Sequence, residues 1–80
     1  MTGDRTILGD HMVAIEQDDR SWSVESIDGA TIGGSIKYSE HWQEVCFITK
    51  PMITFSHACL NEIRMFCFRQ TLLRQGKTVV

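Results

Sequence analysis

From His57 to Gln75 the chain runs without a glycine or a proline, and Gly76 follows. Ser56 stands where a helix N-cap belongs, Phe55 and Leu60 occupy the two positions of a hydrophobic staple, and Gly76 falls at the C′ position, so this segment reads as one helix. In a chain of 80 residues such a helix takes up about a quarter of the sequence, and the rest must supply its cover. At 100° per residue, Cys59, Leu60, Ile63, Phe66, Cys67 and Leu73 span roughly 140° of its circumference, enough to lie on a sheet. A second, narrower stripe holds Ala58, Met65, Phe68 and Leu72. Glu62 and Arg69 separate the two on one side, Arg64 and Thr71 on the other. A sheet covers one side of a helix only. Met65, Phe68 and Leu72, flanked by Arg64 and Arg69, are therefore expected to meet a protein partner, and a homodimer through the C-terminal helix is the most economical case. The competing expectation is that Met52 to Phe55 or Thr6 to Leu8 folds over the stripe.

The preceding residues read as strands. His11 to Glu16 and Ser21 to Ile27 flank the polar loop Gln17-Asp18-Asp19-Arg20, a hairpin in which Glu16 opposes Ser21 and Val13, Ile15, Trp22 and Val24 share the core face. A bulged three-residue loop, Asp28 to Ala30, then brings Ile32, Ile36 and Tyr38 to that face. Gly33 and Gly34 mark a bend or a close backbone approach. Glu44 to Thr49 is a further strand, apolar on both sides and hence expected to be central or covered twice. The fold class is α+β: an antiparallel three- to four-stranded meander with one C-terminal helix packed on one face, β-β-β-β-α. It is one domain over residues 1–80, with 1–10 and 77–80 as flexible ends.

Length and composition narrow the function classes. At 80 residues no second core can form, and 42% hydrophobic with 22% charged residues is ordinary globular usage. The longest apolar runs fall far short of the roughly 18 residues a spanning helix needs, so no membrane is expected. The opening MTGDRTILGD lacks a basic stretch followed by an apolar core, and an odd cysteine count fits reduced thiols, so a cytoplasmic setting is expected. Net charge is −2, unevenly distributed: nine acids against three bases up to Glu44 give −6, and five bases against one acid afterwards give +4. Glu16, Asp18, Asp19, Glu25 and Asp28 are expected to form an acidic hairpin end that docks on a basic partner surface.

Chemistry-bearing patterns are lacking. The cysteines and histidines show no paired ligand spacing, and Cys59 and Cys67 lie roughly 12 Å apart along a helix. No metal and no cofactor are expected. The glycines of GATIGGS are not followed by lysine and a helix, as a phosphate loop requires. Ser56 and His57 diverge at a helix start, and Asp18-Asp19 is turn chemistry. Arg64, Arg69 and Arg74 point in separate directions, which disfavours nucleic acid. The expected function is a small non-enzymatic protein-binding module that occupies a surface of a larger partner, as an inhibitor or adaptor. Short motif-free chains of this class are frequent among phage and mobile-element products, anti-CRISPR proteins among them. A self-associating structural or regulatory subunit is the alternative, and a nucleic-acid-binding domain the third.

Overall fold

Five strands precede one helix in a computed structural model that describes residues 3 to 76: β1 (Arg5–Leu8), β2 (Met12–Glu16), β3 (Trp22–Ser26), β4 (Ile32–Ser39), β5 (Glu44–Thr49) and α1 (His57–Arg74). All neighbours pair antiparallel in the order β1-β2-β3-β4-β5, an α+β meander with the C-terminal helix on one face. The strand added to the expected three or four is β1, in a segment expected to be a flexible end. Gly9, at φ 68°, takes the left-handed conformation in the turn that pairs Leu8 with Met12. The tail Lys77 to Val80 lies outside the described residues.

The first hairpin departs from the expected register by one residue. Glu16 opposes Trp22, not Ser21, so Ala14 opposes Val24 and Ile15 opposes Ser23. Ser21 belongs to the closing pair, where the Gln17 N–H donates to its carbonyl at 2.8 Å. The loop proper is Asp18-Asp19-Arg20, with Arg20 in the left-handed region at φ 66°. That is a three-residue loop whose last position favours glycine, and an arginine there conceals it. The Asp19 carboxylate accepts from both the N–H and the hydroxyl of Ser21. Because side chains alternate, the one-residue slip exchanges the faces. Met12 and Ala14 join Trp22 and Val24 beneath the helix, while Val13 and Ile15 turn to the opposite face. Val13 is still only 2% exposed there, with Ile7 and Glu25 as its cross-strand partners.

The second hairpin has the expected pairing of Trp22 with Ile36 and Val24 with Gly34, but by a different device. The loop is four residues, Ile27 to Ala30, closed by the Ser26 N–H on the Thr31 carbonyl at 2.8 Å. The Asp28 carboxylate accepts from the Ala30 N–H and the Ser26 hydroxyl, and these hydrogen bonds hold its pKa below the usual carboxylate value, the Ser26 one foremost. The bulge falls at Gly33, the extra residue between Ile32 and Gly34. Ile36 and Tyr38 thus reach the core face, whereas Ile32 is returned to the outside and is 44% exposed.

The core consists of Leu8, Met12, Ala14, Val24, Ile36 and Val45 from the sheet and Ile63, Phe66 and Cys67 from the helix, with Trp22, Tyr38, Phe47, Phe55 and Cys59 packed around it. Of the wide helical stripe, only the central part is covered, since Leu60 and Leu73 remain about half exposed. The helix makes its closest approaches to the edge strands, β5 above all and β1. The expectation that Glu44 to Thr49 is central is wrong: β5 is an edge. Its double-sided apolarity has another cause. Val45 and Phe47 pack toward the helix, Ile48 lies on the other face at the surface, and the helix also guards part of the open edge. The Thr71 hydroxyl accepts from the Val45 N–H at 2.9 Å while donating to the Cys67 carbonyl at 2.8 Å, which satisfies an edge amide that would otherwise offer itself to another strand.

Candidate functional site

Ser56 caps α1 by accepting from the Cys59 N–H at 3.2 Å, and Gly76 follows the C-cap at φ 76°. Ile63, Phe66 and Cys67, buried against the sheet, set the helix's rotation and with it the direction of the second stripe. Phe68 points away from the sheet and is 54% exposed, with Met65 and Leu72 partly buried beside it. Neither proposed intramolecular cover reaches it. Thr6 to Leu8 is part of β1 at the far edge of the sheet, Met52 is 98% exposed, and Phe55 turns inward to meet Phe47 at 5.4 Å between ring centroids.

Beside this stripe runs a groove of about 370 Å³ between α1 and the start of β5. Phe68 and Leu72 form its apolar wall, Val45, Cys67 and Thr71 its floor, and Glu44 and Arg64 stand at its margins. Arg64 donates to the Asn61 side chain at 3.4 Å and meets no carboxylate among the described residues. Arg69 is exposed on the other flank of the stripe.

The acidic residues do not form the expected single patch. Glu16, Asp18 and Asp19 lie at one end of β3 and Asp28 at the other, with Glu25 between them on the open face, where its carboxylate accepts from the Ser23 hydroxyl at 3.0 Å. The Glu16, Asp18 and Asp19 end does lie near the last turn of the helix, but on the side away from Phe68. Asp19 is further committed to its turn: the hydrogen bonds from Ser21 hold its pKa below the usual carboxylate value. The predicted apolar and acidic elements are thus two separate surfaces. Sequence reading also missed Glu44, Val45 and Thr71 as groove residues, because nothing in strand periodicity tells which strand edge a helix will lie against.

The three cysteines are free thiols, and among the described residues no three of His, Cys, Asp or Glu are grouped so as to hold a metal ion. Cys67, beneath the groove, has its thiol pKa pushed up from 9.0 to about 11, first by burial and then by the nearby Cys46. An alkylating reagent at pH 8 is therefore expected to label Cys46 and Cys59 well before Cys67, as peptide mass spectrometry would read. The raised value favours the neutral thiol in the folded state. Its contribution to stability is whole below about pH 9 and disappears as the pH rises through about 11. Denaturant melts across that interval should fall more steeply for the native chain than for Cys67→Ala; equal slopes would contradict the burial of this thiol.

In comparison with known proteins, the chain matches no family model, no curated protein and no solved structure. No helix among the described residues is long and apolar enough to cross a membrane.

Proposed function

We propose that this chain is a non-enzymatic protein-binding module that works in a cytoplasm by occupying a surface of a larger protein, as an inhibitor or adaptor. The observation that carries this reading is Phe68, a large aromatic ring more than half exposed on a well-capped helix, bordering a groove with an apolar wall and charged margins. Interfaces have this anatomy, with an aromatic anchor surrounded by polar and charged groups. An edge strand beneath a helix supplies a rigid floor, so little conformational freedom is lost when a partner binds.

Self-association through the same face is the second reading, and the groove's own charges favour it. Glu44 lies toward the C-terminal end of the helix and Arg64 one turn before Phe68. An antiparallel pairing of two copies about a twofold axis at Phe68 brings each Arg64 toward the other copy's Leu72 and Glu44.

Phe68→Asp tests both readings. Its side chain is outside the core, so the variant is expected to fold, with the monomer losing only about 1 kcal/mol of stability. Light scattering at micromolar concentration then separates the cases. A native dimer that becomes a folded monomer in Phe68→Asp establishes the isologous contact. A native monomer whose captured partner is lost in the variant establishes a heterologous one. A variant that keeps both the assembly state and the partner of the native chain refutes the proposal.

A further inference from the structure

A separate cleft of about 630 Å³ opens on the far side of the helix from Phe68, between the β2–β3 loop and the last turn of α1. Its floor is aromatic, formed by Trp22 and Tyr38, and Arg20, Arg74, Gln70 and Leu73 stand around it. Volumes of this order hold small ligands.

Two features single out the arginines. The Arg74 guanidinium carbon lies 3.8 Å from the centroid of the Tyr38 ring, a cation–π contact that holds the charged head at the wall of the cleft. Arg20 is held at φ 66°, a backbone conformation that a non-glycine residue adopts at a cost and that here carries a cation to the mouth of the cleft. Neither guanidinium has a carboxylate partner among the described residues. Glu16 also lines the cleft and has an interaction of its own, and Asp19 and Glu40 stand on the adjoining rim with Lys37. The mixture of charges on the rim disfavours a polyanion lying across it. Two arginines lining one cleft with an aromatic floor suit a single anionic group joined to a planar ring.

We propose that this cleft binds a small ligand of the nucleoside monophosphate class, with its ring on the Trp22 face, its phosphate on Arg20 and Arg74, and the Gln70 amide at the ring edge. The inference is independent of the Phe68 face and stands or falls separately from it. Base stacking and charge-assisted hydrogen bonds to phosphate supply the two halves of the recognition.

The chain has two tryptophans, so Trp42→Phe leaves Trp22 as the only indole reporter. In that background, at least one of AMP, GMP, CMP and UMP is expected to quench Trp22 fluorescence saturably, with a dissociation constant below about 1 mM. The matching nucleoside and inorganic phosphate, titrated alone, should each bind at least about tenfold more weakly. Arg20→Gly supplies the control for folding. Glycine takes the left-handed conformation without strain, so this variant should melt no lower than its parent while binding the nucleotide at least about tenfold more weakly. Absence of saturable quenching by all four monophosphates would overturn the proposal. So would inorganic phosphate binding as tightly as the nucleotide, or Arg20→Gly keeping the parent affinity.

Discussion

Gly34→Ala is expected to leave most of the chain unfolded. Gly34 lies in β4 with Val24 on one side and Thr49 on the other, next to the bulge at Gly33. A Cβ built on Gly34 runs into the carbonyl oxygen of Ile48 and stands 3.0 Å from both the Thr49 Cα and a Phe47 ring carbon. The obstruction is largely backbone of the neighbouring strand. It can be relieved only by separating β4 from β5, which also breaks the ladder that holds Val45 and Phe47 under the helix. Strain of this kind costs roughly 3–5 kcal/mol, about the whole stability of a domain this small. Gly33 provides the contrast. A Cβ there meets Phe55 Cζ at 2.8 Å, the far end of a side chain that can rotate, so Gly33→Ala should be the milder of the two. Urea melts followed by far-ultraviolet circular dichroism would decide, and a native midpoint for Gly34→Ala would show that the two strands are not so closely apposed.

The parts of this fold legible in the sequence are those in which one residue type has one physical role. Ser56 and Gly76 bound the helix because a hydroxyl accepts from an orphan amide and glycine takes a positive φ. The two stripes followed from helical geometry, and the exposed direction of Phe68 with them. Paired glycines signalled the close approach in β4 without telling that the bulge would be at Gly33 and turn Ile32 outward. The first hairpin was misread for two reasons. Arg20 adopts the conformation expected of glycine, so the loop looked one residue longer than it is, and β2 is apolar on both faces, so its pattern did not correct the error. β1 was missed because its four residues carry no alternation strong enough to separate a strand from a terminal segment. The groove was half legible, in its helical wall. The cleft was not, since Arg20, Trp22, Tyr38 and Arg74 come from a loop, two strands and the helix, and only the tertiary fold brings them together.

The register of that first hairpin yields the second large effect. Trp22 pairs with Glu16 and Ile36 on the core face, and its ring stands edge-on to Phe66 at 5.2 Å between centroids and 85° between planes. Removing it opens the core between sheet and helix where, among the described residues, Phe66 has no other aromatic partner. Since Trp22 is partly exposed at the cleft, the loss should fall toward the lower end of the range for a buried tryptophan, and Trp22→Ala is expected to cost about 3 kcal/mol. Trp22→Phe keeps an aromatic ring against Phe66 and should cost roughly half as much. Ile15→Ala is the informative comparison, because a register with Glu16 opposite Ser21 would put Ile15 in the core beside Trp22. With Glu16 opposite Trp22, Ile15 lies on the uncovered face, partly exposed, and its truncation should cost only about 1 kcal/mol. Denaturant melts of the two alanine variants therefore test which face of β2 the helix covers. If Ile15→Ala proves the more damaging, the helix lies over Val13 and Ile15, and the strand is shifted by one residue from the pairing described.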